Sequence, residues 1–175
     1  MKSKVERFNE VLSNTVAYRE TWKKSLKNEI IEQLKALVKE TNLYAEVETK
    51  EDVENLEAIV LNLGESKSGI YEKVNKQVNR HLIKHHGSLI YQQLFNGKVI
   101  VLVNYPMIEG YGQPRPPQTL AIYRPEEVQP PFIIRHVEEF VKEVTNWEDY
   151  DDDEPHQKIG FNLNFLDGHG PEQQQ

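Results

Sequence analysis

The sequence predicts a two-layer α+β domain over residues 1–147, in which helices cover a mainly antiparallel sheet of about five strands. Three observations predict this class: apolar residues at helical spacing open the chain, strand-like segments alternate with turn residues in its middle, and neighbouring strands are joined by links too short for parallel crossovers. The predicted element order is α-β-β-α-β-β-β-α, with a candidate strand near the C-terminus.

The first predicted element is a helix over about residues 4–41. Its apolar residues recur at steps of three and four along one side, namely Val5, Phe8, Leu12, Trp22, Leu26, Ile30, Leu34 and Leu37. Such a helix would be about 55 Å long, whereas a compact domain of this length is about 40 Å across. Either the helix breaks near Asn14 or its end projects and contacts another subunit, and we favour projection.

Two strands and a second helix are predicted next. Residues 43–50 alternate between polar and apolar side chains, and residues 56–63 are apolar on both faces, as expected of an interior strand. Residues 71–86 place an apolar set on one side of a helical wheel, formed by Tyr71, Val74, Val78 and Leu82. We therefore predict a helix over 71–86 that stops at Gly87.

A β-hairpin gives the clearest local signal. Asn96-Gly97 separates two strand-like segments, residues 88–95 and 98–105, and Asn-Gly is strongly favoured in two-residue turns where both residues have positive φ. A loop rich in proline and glycine then extends over residues 106–118 and leads into a strand predicted at 119–123.

The last predicted helix begins at Pro130 and Pro131, because the fixed φ of proline suits a first helical turn. It should end by Trp147. We expect one contiguous core between sheet and helices, formed by Val60, Val78, Leu82, Val101, Val103, Ile134 and Val137.

Residues 148–175 are predicted to form an acidic C-terminal tail outside the domain. Residues 147–175 contain eight acidic residues and one lysine, and their net charge of −7 equals that of the whole chain. Within the tail, residues 159–165 alternate between apolar and polar side chains and form the candidate C-terminal strand. We hypothesise that the tail docks on the folded domain or on a neighbouring subunit, with Phe161 and Phe165 supplying most of the affinity and the basic residues described below selecting where it lands.

Composition narrows the class of protein. No apolar run reaches the roughly 18–20 residues that a membrane-spanning helix needs, and the first residues lack the apolar core of a signal peptide. The chain has no cysteine, which removes disulfides and thiolate metal sites. The expected location is the cytoplasm, and the net negative charge argues against a nucleic-acid binder.

Four cations share the side of the predicted second helix that lies opposite its apolar set: Lys73, Lys76, Arg80 and Lys84. Cations spaced along one face add their potentials, so this face could bind an acidic protein partner or another anion. The alternative interpretation is the solvated outer face of an amphipathic helix.

His81 and His85 are one helical turn apart in that prediction, a spacing that can hold a metal ion between two imidazoles. The segment lacks the glutamate of the zinc-hydrolase motif, and no third ligand can be identified. His85 also falls near the apolar side of the wheel, where a histidine fills core space. No metal or other cofactor is assigned from the sequence.

The loop at 106–118 is the candidate ligand site, because long loops in compact domains are often functional. It carries Glu109, Tyr111, Gln113 and Arg115, and Glu109 with Arg115 could hold a polar ligand. The alternatives are a rigid, partly polyproline loop or a ligand for a proline-recognising partner, formed by residues 114–117. No nucleophile, general base and orienting group occur together, so no catalytic residue is assigned.

The sequence thus favours a non-enzymatic, cytoplasmic interaction protein that forms homo-oligomers and has an unidentified partner. Two alternatives remain. One is a small-molecule enzyme with its site at the edge of loop 106–118, and the other is anion or nucleic-acid binding through the basic face of helix 71–86.

Overall fold

The computed structural model of the chain describes residues 1–150, and its architecture is α+β, as predicted. The helical elements are α1 (Lys2–Thr21), a π-helical turn (Trp22–Leu26), α2 (Lys27–Thr41), a 3-10 turn (Pro125–Glu127) and α3 (Pro130–Glu148). The strands are β1 (Glu46–Lys50), β2 (Ala58–Asn62), β3 (Glu65–Lys73), β4 (Asn79–His85), β5 (Ser88–Gln93), β6 (Val99–Asn104), β7 (Met107–Ile108) and β8 (Gln118–Tyr123). The candidate strand at 159–165 and its docking lie outside the described residues.

Five strands form an antiparallel sheet in the order β1-β2-β5-β6-β8. Side chains of β5 and β6 alternate along each strand between buried and partly exposed, so one face of the sheet is the core face. That face packs against the helices, and the core combines Tyr91 and Val101 of the sheet with Trp22, Ile30 and Phe140 of the helical layer.

α1, the π-helical turn and α2 form one continuous helix, because the residues at both junctions keep right-handed helical backbone angles. The break considered near Asn14 does not occur, and the helix projects instead. Residues 1–13 are all exposed, and at 1.5 Å per residue they extend for about 20 Å. The helix ends at Asn42, whose φ of 54° lies in the left-handed region.

Trp22 anchors this helix on the sheet. Its side chain is fully buried, and its indole N–H donates to Glu57 Oε2 at 3.1 Å, while Lys27 Nζ donates to the same oxygen at 3.0 Å. Burial by itself would raise the pKa of Glu57, but these two contacts outweigh it and the pKa is lowered. The carboxylate is therefore held ionised at the helix–sheet boundary.

The π-helical turn corrects the rotation of the buried stripe. Buried residues recur every fourth position, at Trp22, Leu26, Ile30 and Leu34. In an α-helix a step of four rotates about 40° beyond one full turn, so this set would move away from the sheet. A π-helical turn holds more residues, because its hydrogen bonds span five positions, and it offsets part of that rotation.

The predicted helix at 71–86 is wrong. β3 and β4 pair as an antiparallel ribbon, which we call the arm, and residues 74–78 form the turn at its tip. Asn75 stabilises the turn by accepting hydrogen bonds from the backbone N–H groups of Gln77 and Val78, both at 2.9 Å. The arm continues the β2–β5 pair, and β7 joins it as a third strand.

The hairpin at Asn96-Gly97 is confirmed, but its turn differs from the predicted type. Only Gly97, with φ of 77°, has a positive φ there. The loop is closed by hydrogen bonds from Gly97 N to Leu94 O at 2.8 Å and from Leu94 N to Lys98 O at 2.7 Å. A Cβ at Gly97 would lie 2.8 Å from Cβ of Tyr18, so this glycine also permits the hairpin to touch α1.

The predicted core is correct for five of its residues, since Val60, Leu82, Val101, Val103 and Val137 are buried. For Val78 and Ile134 the predicted burial is wrong. Val78 lies in the tip of the arm and is 50% exposed, and Ile134 is 38% exposed because its neighbour Ile133 faces the sheet instead. The predicted core residues also do not all belong to one cluster, because Val60 and Leu82 lie outside the main hydrophobic cluster.

A buried histidine links α3 to the sheet. His136 Nδ1 lies 3.0 Å from the hydroxyl of Tyr91 on β5, and Nε2 lies 3.0 Å from the hydroxyl of Tyr123 on β8. A neutral imidazole has one donor and one acceptor nitrogen and can satisfy both hydroxyls. Burial, assisted by the nearby charge of Arg135, lowers the pKa of His136 to about 4.

Truncating Val101 to alanine is expected to lower the free energy of unfolding by about 1–4 kcal/mol, because the side chain is fully buried and the change leaves a cavity. The control is Val78→Ala in the exposed tip of the arm, with an expected change of about 0.5 kcal/mol or less. Urea denaturation measures both. Equal losses would contradict the assigned core.

Acid is expected to destabilise the fold through His136. A histidine in the unfolded chain titrates near 6.5, whereas the pKa of folded His136 is about 4. Below pH 6.5 the unfolded chain takes up a proton that the folded chain does not, so stability present above this pH is lost as the pH falls towards 4, by about 3 kcal/mol in total.

The matched variant for this prediction is His136→Gln, which removes the titration. Its free energy of unfolding should fall less between pH 6.5 and 4 than that of the parent chain, as measured by urea denaturation at successive pH values. Parallel pH profiles for the two proteins would rule out His136 as the source.

Candidate functional site

A cavity of about 390 Å³ lies where the arm leaves the five-stranded sheet, and we call it the junction cavity. Three strand ends form its base through residues paired in register, Asn62 of β2, Ser88 of β5 and Asn104 of β6. The loop at 106–118 closes another side of the cavity. The other lining residues are His85, Gly87, Tyr105, Met107, Pro114, Arg115 and Pro117.

The junction depends on a bend between β4 and β5. Gly87 has a φ of 94°, and a Cβ there would lie 2.8 Å from the carbonyl oxygen of Asn104. The opposite strand bends at Gly64, and the ladder continues across the bend through hydrogen bonds from Leu63 N to Gly87 O and from His86 N to Gly64 O. The bend thus brings the arm close to the end of β6.

Arg115 is held in the cavity wall by an aromatic ring. Its guanidinium carbon lies 3.8 Å from the ring centroid of Tyr105. The Tyr105 hydroxyl donates to Glu143 of α3 at 2.8 Å and also contacts Gln118. Burial, followed by the hydrogen bond to Glu143, raises the pKa of Tyr105 to about 12. The tyrosine therefore stays neutral at physiological pH.

Glu109 of the same loop contacts the arm. Its backbone N–H donates to Ile83 O at 2.8 Å, and its carboxylate lies 2.7 Å from Nε2 of His85. A second carboxylate, from Glu65, lies 3.5 Å from Nδ1 of the same ring. The predicted contact between Glu109 and Arg115 is not made, and His85 takes the place of the arginine.

Tyr111 lies at the turn of the same loop. It is 43% exposed, its backbone N–H donates to Ile108 O at 3.1 Å, and it forms an isolated β-bridge with Ile108. The residue therefore belongs to the loop that borders the junction cavity without lining the cavity itself.

The four predicted cations do not form one row, because the segment is a ribbon. Lys73 pairs with Asn79 at the end of the arm, and Lys76 lies in the turn. Arg80 forms an ion pair with Glu72 at 2.5 Å. Lys84 forms an ion pair with Glu148 of α3 at 2.5 Å and lies 5.3 Å from the ring centroid of Trp147.

The two histidines considered for metal binding lie on the same face of β4, four residues apart. On a strand this separation is about 13 Å, too far for a shared ion, and His81 instead packs its ring against Tyr71 with centroids 4.2 Å apart. Among residues 1–150, no group of three or more histidine, aspartate or glutamate side chains has an arrangement that could hold a metal ion.

Sequence reasoning missed the polar residues at the base of the cavity and the role of Tyr105. Asn62 and Asn104 each end a strand in the sequence, which is a weak signal for an edge site. Their approach to Ser88 follows from strand register, which no local pattern reveals.

Comparison of the chain with protein-family models, curated proteins and solved structures returned no match. None of the helices within residues 1–150 combines the length and the apolar character needed to cross a membrane.

Replacing Gly87 with alanine is expected to destabilise the chain more than Gly69→Ala does. Both glycines have positive φ, so each variant bears the cost of about 1–2 kcal/mol for a left-handed non-glycine residue. At Gly87 the new Cβ also meets Asn104 O at 2.8 Å, whereas nothing lies within 4 Å of a Cβ at Gly69. The additional loss is about 1–3 kcal/mol. Urea denaturation measures the difference, and equal losses would disprove the steric argument.

Proposed function

We propose that this chain is a non-enzymatic, cytoplasmic interaction protein that self-associates through its projecting helix. The observation that supports this proposal is a row of large apolar side chains on α1, which we call the α1 stripe: Val5, Phe8, Leu12 and Val16. These side chains are 50–60% exposed. Their spacing places them within about 80° of one another around the helix, and contiguous apolar surface with a polar rim is typical of an interaction site.

A second copy of the chain is the partner that α1 itself favours. Two helices related by a two-fold axis can cover one stripe with the other, because such an interface uses the same surface on both subunits. The first turn carries Lys2 and Lys4, whereas the last turn carries both Arg19 and Glu20, and Glu20 lies 3.4 Å from Lys24. The charges at the two ends therefore do not select an orientation, and the apolar stripe is the feature that supports the contact.

The basic residues of the arm support a narrower proposal, contact with an acidic protein partner. Lys73 and Lys76 are exposed and have no ion pair within residues 1–150, whereas Arg80 and Lys84 are already paired with carboxylates. Two cations at the tip are a small surface. Binding of nucleic acid relies on many phosphate contacts, so this arrangement favours a protein partner over nucleic acid.

A small-molecule enzyme at the junction cavity is the second candidate function. One observation favours it, the 2.7 Å approach of His85 and Glu109, since such a pair can act in general acid–base catalysis. Within residues 1–150 no serine or threonine hydroxyl is hydrogen-bonded to His85. We therefore place ligand binding ahead of catalysis for this cavity.

The α1 stripe is tested by Leu12→Glu. In a symmetric pair this change removes a leucine from both copies and introduces two carboxylates, so the dissociation constant for self-association should rise at least about tenfold, the equivalent of 1.4 kcal/mol. Sedimentation velocity over a concentration series measures it. A parent chain that stays monomeric at every concentration would disprove self-association.

The matched control is Ser3→Glu, which adds the same charge about 160° around the helix from Val5. It should leave the dissociation constant within about twofold, since exposed charges contribute little. Equal weakening by both variants would indicate a general charge effect and would contradict an interface at the α1 stripe.

A further inference from the structure

We propose that the junction cavity binds a small organic molecule through its carboxylate, with Arg115 as the group that holds the anion. The inference rests on a cation that lines a cavity and has no carboxylate partner among residues 1–150. Arg115 is partly buried. It forms no ion pair or hydrogen bond with any other residue in 1–150, and its guanidinium lies over the ring of Tyr105.

The stacking on Tyr105 leaves the guanidinium suited to a planar anion. A guanidinium that lies over an aromatic ring uses its face for that contact, and its N–H edge remains available for two parallel hydrogen bonds in its own plane. A carboxylate matches this edge with its two oxygens. Bidentate contact of this kind distinguishes arginine from lysine, whose ammonium is a point charge.

The arginine is also ordered in advance of any ligand. The Tyr105 ring beneath it is fixed by the hydrogen bond from its hydroxyl to buried Glu143, and Pro114 and Pro116 flank Arg115 and restrict its backbone. A group that is already held in place loses little conformational freedom when a ligand binds. Because the guanidinium is already ordered, more of its interaction with an anion contributes to the binding affinity.

The size and the other lining residues of the cavity indicate which kind of ligand it would accept. Its volume of about 390 Å³ lies in the usual range for small-molecule sites. Met107, Pro114 and Pro117 offer apolar surface for a short organic body, while Ser88 and Asn104 offer a hydroxyl and an amide. Glu65 and Glu109 contact His85 but do not line the cavity. Among the lining residues within 1–150, Arg115 is the one arginine or lysine.

The test is an NMR titration of the full chain with benzoate, and with benzamide as its neutral analogue of the same shape. We expect saturable shifts of the Arg115 side-chain N–H and of the Ser88 and Asn104 amides with benzoate, and at least tenfold weaker binding of benzamide. Arg115→Gln should weaken benzoate binding at least tenfold. Arg115→Lys should recover only part of it, because the charge returns without the planar fork.

The matched control is Arg135→Gln, which removes an arginine of α3 outside the cavity and should leave benzoate binding unchanged. Equal binding of benzoate and benzamide, or undiminished binding by Arg115→Gln with a preserved amide spectrum, would overturn the proposal. Arg115-dependent binding of inorganic phosphate tighter than that of benzoate would overturn the assignment to carboxylates. The titration can be repeated in the Leu12→Glu background, so failure of this site and failure of self-association are distinguishable.

Discussion

The packing of one long helix across one face of the sheet determines the rest of this fold. Trp22 is the fixed point of that contact, because it is fully buried and its indole N–H is paired with the ionised Glu57. The helix continues in both directions from it, but the sheet beneath covers only the C-terminal part. The N-terminal part of the helix is therefore exposed as a geometric consequence, and the four side chains of the α1 stripe are at least half exposed.

The bend at Gly64 and Gly87 is the second constraint, since it lets one pair of strands serve two structures. Before the bend the strands complete the main sheet, and beyond it the same ladder forms the arm. The base of the arm is tied to the end of α3, where Glu148 pairs with Lys84 at 2.5 Å and lies 3.8 Å from Nδ1 of His86. The orientation of the arm relative to the sheet is thus fixed by the continuous strand ladder and by these contacts with α3. Loop 106–118 lies in the space between the arm and the sheet.

The elements that could be predicted are those with a local signal. The long helix follows from its apolar spacing, and the hairpin follows from Asn96-Gly97. The segment 71–86 could not be assigned in this way, because residues spaced by four on two strands around a turn imitate one side of a helix. The burial pattern exposes the difference: Val74 and Val78 are at least half exposed, whereas the buried stripe of a real helix would enclose them.

The candidate site was predictable only in part for the same reason. The loop carrying Glu109 and Arg115 could be recognised from its length and composition, but neither contacts the partner that the sequence proposed. Glu109 meets His85 because β7 pairs with β4, and Arg115 meets Tyr105 because the loop folds back over the end of β6. These contacts depend on strand register across the chain, which a linear pattern does not contain.

The polar groups inside the core connect these two parts of the molecule. His136 and Glu143 lie on the buried face of α3, on either side of Phe140, and each meets a tyrosine of the sheet region. A purely apolar face would allow α3 to rotate or slide with little penalty, whereas a misplaced histidine or carboxylate would leave a buried polar group without a partner. The position of α3 is therefore specified by hydrogen bonds. Because Tyr105 is one of those partners, the same specification extends through its ring to the guanidinium of Arg115 and so to the shape of the junction cavity.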